Sequence, residues 1–215
     1  MPKKPSESMP HHPQQRPSAR PEGCGDGPAP AAARPIQVPV GLVVLVGPPA
    51  SGKTSFVRAL IARRKIDAEA VVSSDEIRAE LFGGSPADGD EVDARVFEER
   101  DRRVIARLAA GRSAVAESTN VTPQARARLL AVAERFNAPA TMLRFTSDIT
   151  ELLQQNSERG RPDVTVADVR TSAAIMVRDA SADQLRSEGA AAVHDVPGRR
   201  QGVAPAEAAE RFSFG

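Results

Sequence analysis

Gly47-Pro48-Pro49-Ala50-Ser51-Gly52-Lys53-Thr54 constrains this chain more than any other stretch. It fits the pattern G-x-x-x-x-G-K-[ST] in full. Its flanks fit as well. Residues 40–46 (VGLVVLV) are a short, continuous apolar run rich in β-branched side chains, which reads as a strand buried on both faces. Residues 53–64 (KTSFVRALIARR) then take up helical spacing. A buried strand, a glycine-bearing turn and a helix in direct succession call for a sheet covered by helices.

The rest of the chain repeats that alternation. Further strands are predicted at 70–73, 113–116 and 140–145, with a fifth, edge strand at 190–193. Helices are predicted at 75–82, 92–110, 122–136, 149–159, 166–180 and 204–211. Gly83 and Gly111 suit helix stops, and Thr122-Pro123 suits a cap followed by a first-turn proline. The expected fold is α/β: a parallel sheet of about five strands with helices on both faces, the P-loop NTPase arrangement. Ligands of such sheets bind at the carboxyl ends of the strands.

Each position of the loop has a physical task. Gly47 and Gly52 permit backbone angles and close approaches that a side chain would block. Successive backbone N–H groups, with the helix N-terminus behind them, attract anionic oxygens. Lys53 reaches the β- and γ-phosphates, and the Thr54 hydroxyl can ligate Mg²⁺. The expectation is ATP or GTP with Mg²⁺, cradled by residues 47–55, Ser55 included.

The chain's composition narrows the class. It has 215 residues and a formal net charge of +1, which argues against a strongly basic nucleic-acid coat. That charge divides unevenly. Residues 1–36 hold nine of the 18 prolines and carry +2, whereas 37–215 carry −1. The first segment has no apolar periodicity and is expected to be a disordered tail; the second is expected to be the folded domain. Cys24, His11 and His12 lie in the tail without partners at metal-binding spacing. One cysteine excludes an internal disulfide. No apolar run reaches the roughly 18 residues of a membrane span, and no signal-peptide core is present, so a cytoplasmic protein is expected. There are seven Phe but no Trp or Tyr, so base stacking would fall to Phe, His or Arg.

Asp75 and Arg78 stand three apart at the start of the helix after the second strand and so share a face. On spacing alone Asp75 is either an N-cap or a carboxylate that accepts the proton of an attacking hydroxyl; Arg78 is either solvated or a bidentate phosphate ligand. Glu117, at the end of the third strand, can hold Mg²⁺ through water.

The segments GPPASGKTS, VVSSDEIRAELFG and VFEERDRRVIARLAAGRSAVAESTNVTPQARARLL together resemble the polynucleotide 5′-kinase branch of the P-loop kinases, and zeta-toxin-like kinases are similar. NSERGRPDVTVADVRTSAAIM resembles that branch's lid and following helix. The resemblance covers roughly residues 41–195. It implies transfer of the ATP γ-phosphate to a hydroxyl acceptor. Asp75 takes the general-base position and Arg78 the acceptor-phosphate position. Thr119 and Asn120 would orient the acceptor, with Arg126 a weaker contact. Arg159 and Arg161 would be lid arginines over the triphosphate. Two departures stand out. Glu117 replaces a usual Asp, and Gln155 stands where the lid pattern Arg-Asn-Ser-x-Arg has its first arginine. A polynucleotide 5′ end is one acceptor the resemblance supports, with Arg102, Arg103, Arg107, Arg126 and Arg128 as a candidate basic patch. A nucleoside, sugar or antibiotic hydroxyl is the other. A nucleotide-binding regulator with a protein partner is the alternative from a different class. His194 is expected to be structural or exposed.

Overall fold

A computed structural model of the chain describes residues 34–83, 89–160 and 164–215. The elements in chain order are β1 (Ile36–Val38), β2 (Leu42–Val46), α1 (Lys53–Ala62), β3 (Val71–Ser73), α2 (Ser74–Phe82), α3 (Asp90–Ala109), β4 (Ala114–Glu117), α4 (Pro123–Arg135), β5 (Ala140–Arg144), α5 (Ile149–Arg159), α6 (Val166–Asp179), α7 (Ala182–Ser187), β6 (Ala192–Asp195), α8 (Pro205–Glu210) and β7 (Phe212–Phe214). Residues Arg34–Gly215 form one compact unit.

Five strands build a wholly parallel sheet in the order β3-β4-β2-β5-β6. The strand that opens the phosphate-loop motif is therefore central. Its alternation shows why it is apolar throughout. Leu42, Val44 and Val46 enter one core with Ile77, Val96, Val104, Leu129 and Met142, while Val43 and Leu45 enter the other with Phe56, Leu60, Val115 and Leu143. Phe56 stands edge-on to Phe145 and to Phe212, with ring centroids 5.5 and 5.6 Å apart. These phenylalanines are core residues.

Several local expectations hold. Thr122 caps α4, its hydroxyl accepting from the Ala125 N–H at 3.3 Å with Pro123 behind it. Gly83 ends α2 at φ 65°, a left-handed value that favours glycine. His194 lies in edge strand β6, against the ring of Phe212.

Others shift. The N-cap of α2 is Ser73, not Asp75, so Asp75 falls in the first turn with its carboxylate exposed. β4 starts and ends one residue later than the predicted 113–116, with Glu117 as its last residue as expected. The apolar line of α3 is interrupted by Arg100, which is buried beside Val96 and Val104. Its guanidinium bonds Asp101 and lies over the Phe97 ring. β1 and β7 form a separate parallel pair, Ile36 opposite Phe212, that local patterning did not reveal. Ile36 thus belongs to a strand and not to the tail. Arg34 and Pro35 of the expected tail also fall in the compact unit, and 1–33 lie outside the described residues. Among the described residues no helix is long and apolar enough to cross a membrane.

Candidate functional site

The loop leaves the carboxyl end of β2 between the ends of β4 and β5, where the chain's crossovers change direction. Two backbone positions require its composition. Gly52 has φ 92°. A Cβ on Gly47 would stand 2.8 Å from Ser51 Oγ and 2.9 Å from Phe145 Cβ, so this glycine is needed for space. Ala50 also takes a left-handed φ of 63°. The Gly47 N–H donates to the Thr119 carbonyl at 2.9 Å, tying the loop to the segment after β4.

Lys53 opens α1 and is 8% exposed. Its Nζ donates to the carbonyls of Gly47 and Pro48 at 2.8 and 2.7 Å and to Ser51 Oγ at 3.3 Å. Burial brings its pKa down to about 7. Glu117 and Asp75 act in the opposite direction, and Arg159 lowers it further. Four sequence-predicted charged groups therefore share one electrostatic neighbourhood, though they come from α1, β4, α2 and α5.

The Thr54 hydroxyl donates to Glu117 Oε1 at 2.6 Å. Glu117 is 8% exposed, and burial raises its pKa; the Thr54 hydrogen bond and the Lys53 charge pull the other way. A hydroxyl and a buried carboxylate are hard oxygen donors, which suits Mg²⁺. Among the described residues no group of three or more His, Cys, Asp or Glu could hold a metal by itself. The pair fits an ion that takes its remaining ligands from phosphate oxygens and water, the usual habit of Mg²⁺.

Arg78 is half-buried and bonds Asp93 of α3, a partner fifteen residues away that no local pattern signals. Arg159 ends α5 just before Gly160, which is left-handed at φ 59°. Arg161 lies outside the described residues.

The structure corrects two candidates. Arg126 is wholly buried: its Nε and Nη2 bond the two carboxylate oxygens of Glu188 at 2.6 and 2.7 Å. Nη1 donates to the Asn120 and Val121 carbonyls, and Nη2 also to that of Asp179. It braces the segment after β4 and cannot reach an acceptor. Asn120, 1% exposed, donates from Nδ2 to the Leu45 carbonyl at 2.9 Å, pinning β2 to that same segment from within. Thr119 contributes its carbonyl to the loop. The arginines of the candidate basic patch are interleaved with carboxylates. Arg102 and Arg103 bond Glu99, Arg103 also bonds Glu80, Arg128 pairs with Asp101, and Arg107 donates to the Ser113 and Glu69 carbonyls.

A cavity that sequence patterning did not reveal opens beside the loop, with a volume of about 120 Å³. Ser51, Gly52 and Ser55 form its phosphate-loop end. Phe145, Val196, Pro197 and Val203 give it apolar walls, and Glu151, Gln155 and Arg199 its polar side.

Comparison with solved structures returns the same fold. A chain of the Pnkp1/Rnl/Hen1 RNA repair complex aligns at TM-score 0.56 and 20% identity, covering 69% of this chain. This chain spans only 46% of that one. A sugar kinase from Janibacter sp. aligns at TM-score 0.56 and 17% identity, covering 80% of this chain and 92% of its own. A shikimate kinase from Acinetobacter baumannii, solved with shikimate, aligns at 0.51 and 18%, covering 80% and 90%. At such identities the likeness establishes the fold, that of the P-loop kinases. No curated protein matches the chain. The AAA domain family model AAA_33 matches residues 42–185, from the first residue of β2 to the middle of α7. With the phosphate loop, its lysine and the five-stranded parallel sheet all inside that span, the chain belongs to this family of AAA domains.

Proposed function

We propose that the protein is a phosphotransferase that moves the γ-phosphate of ATP onto a hydroxyl acceptor. One observation carries this reading: Glu117, Asp75 and Arg159 all act on the charge of Lys53, inside a complete phosphate loop. A hydrolase can share the loop, the metal and an arginine. The exposed Asp75, on α2 beside Arg78, supports an acceptor hydroxyl in place of water.

The loop N–H groups and Lys53 hold the triphosphate. Thr54 and Glu117 would hold Mg²⁺, which when bound neutralises charge on the β- and γ-oxygens. The exposed Asp75 carboxylate takes the proton of the incoming hydroxyl. Arg159 and Lys53 offset charge that spreads over the transferring group. Arg78 orients the acceptor, in exchange with Asp93. The cavity beyond Ser55 is well below the ~300–1,000 Å³ of clefts that enclose a whole drug-sized ligand. It suits one ring system, the nucleotide's base.

The acceptor has two readings. Sequence resemblance and the RNA repair neighbour support a polynucleotide 5′-hydroxyl. The paired arginines of α3 and α4, and the sugar and shikimate kinase neighbours, support a small-molecule hydroxyl. Labelled ATP offered to 5′-hydroxyl oligonucleotides and to a panel of sugars, nucleosides and aminoglycosides decides between them. Asp75→Asn should lower transfer about 100-fold or more while nucleotide still binds. Undiminished transfer by that variant removes the base assignment. ATP turnover indifferent to every acceptor refutes the kinase reading itself.

A further inference from the structure

The cavity beside the phosphate loop holds an acceptor with nothing to accept. Glu151 stands in the first turn of α5, lines this cavity, and its Oε1 is buried without a hydrogen-bond partner. A buried, unsatisfied oxygen is costly, and a carboxylate can only accept. The nearby cation does not answer it: Arg199, on the cavity's polar side, pairs with Glu158 at 3.3 Å. Gln155 lies one helical turn beyond Glu151 on the same face and lines the same cavity. The opposite walls, Phe145, Val196, Pro197 and Val203, are apolar. A flat ring between apolar walls, with its polar edge toward Glu151 and its sugar toward Ser51, Gly52 and Ser55, satisfies all of these groups together.

We propose that Glu151 reads the base of the donor nucleotide, its Oε1 accepting from an N–H group on the ring edge of a purine. Adenine offers its 6-amino group, and guanine its N1–H and 2-amino group. The inference rests on the nucleotide reading above and adds the residue that selects the base. Gln155, which has a donor and an acceptor, can meet the neighbouring ring atom of either purine.

The test is equilibrium binding of ATP, GTP, purine riboside triphosphate and inorganic tripolyphosphate to the full chain and to Glu151→Ala and Glu151→Gln. Purine riboside lacks both the amino group and the ring N–H. The wild-type protein should bind ATP or GTP about 10–100-fold more tightly than purine riboside triphosphate, the range of a hydrogen bond to a charged group. Whichever purine is preferred identifies the natural donor. Glu151→Ala should bring the nucleotides to parity and leave tripolyphosphate binding unchanged, since the phosphate loop is intact. Glu151→Gln keeps the shape and a weaker neutral acceptor, so its discrimination should fall between the two. Discrimination that survives in Glu151→Ala overturns the proposal. So does an equal loss of tripolyphosphate and nucleotide binding, which marks Glu151 as merely structural. A wild-type protein that binds neither tripolyphosphate nor any nucleotide overturns the nucleotide reading instead.

Discussion

Lys53 gives the sharpest quantitative test. Its pKa stands at about 7 in the free protein, because burial penalises the ammonium more than Glu117 and Asp75 support it. Placing a triphosphate beside Nζ supplies the missing countercharge and returns the pKa toward its ordinary 10.5. Binding must then take up a proton in every molecule that had lost one. With a pKa of about 7, the uptake is about 0.5 proton at pH 7 and about 0.9 at pH 8. By the same linkage, affinity should fall about fivefold between those pH values. Calorimetry of ATP binding without Mg²⁺, in buffers of different ionisation enthalpy, reads the uptake directly. The terminal phosphate of ATP itself loses its last proton toward the acid side of this range, so the uptake at pH 8, where that phosphate is ionised, is the decisive reading. The raised pKa of Glu117 provides a second proton site, so the titration is repeated in Glu117→Gln, where the uptake should persist. Lys53→Arg keeps its proton throughout, so its uptake should drop well below that of wild type, to whatever share Glu117 supplies. No uptake in wild type at either pH, or undiminished uptake in Lys53→Arg, refutes the reasoning.

Three further outcomes follow from the same geometry. Glu117→Gln keeps an acceptor for the Thr54 hydroxyl but removes a carboxylate whose pKa burial has raised. The wild-type group's contribution to stability is full below the ordinary glutamate range and is lost as pH rises through the raised value. The variant should therefore melt higher than wild type at pH 8, with the gap closing toward pH 4, while Mg²⁺-dependent turnover drops. Glu188→Ala leaves the wholly buried Arg126 without its countercharge. At about 3 kcal/mol, the lower end for a broken buried pair, melting should fall by roughly 6–12 °C; a change under about 2 °C counts against the bracing role. Gly47→Ala drives a Cβ into Ser51 and Phe145. It should cost about 1–3 kcal/mol in thermal melts and weaken nucleotide binding, and an unchanged melt with unchanged affinity would show that the loop yields freely.

How far local sequence reaches is visible in the residues after β4. Thr122 and Pro123 were legible as a helix start, because capping depends on atoms within one turn. Asn120 and Arg126 were equally legible as residues in a motif-rich stretch, yet both face inward. One grips the Leu45 carbonyl and the other Glu188, 75 and 62 residues away in the chain. The resemblance offered both as acceptor contacts, and only burial could show otherwise. Arg78 is similar. Its helix face follows from spacing, but its partner Asp93 comes from a helix beyond the 84–88 segment. The strand pair β1 and β7 was hidden for the same reason, since three-residue strands carry little periodic signal and form only when tertiary packing joins Ile36 to Phe212.

The sequence alone determined the phosphate loop, the buried strand before it, the alternation that makes the sheet parallel, and the longer helices with the Thr122 cap, while the Ser73 cap of α2 and the short helix α7 came only with the structure. What the sequence determined rests on backbone freedom, periodicity and neighbours within a few residues. Tertiary structure alone decided which charges meet. It buried Lys53 and Glu117 together, turned Arg126 into a brace, set carboxylates beside Arg102, Arg103 and Arg128, and left Glu151 Oε1 without a partner in the cavity by the loop. Those outcomes depend on desolvation and on contacts across dozens of residues, which no local pattern encodes.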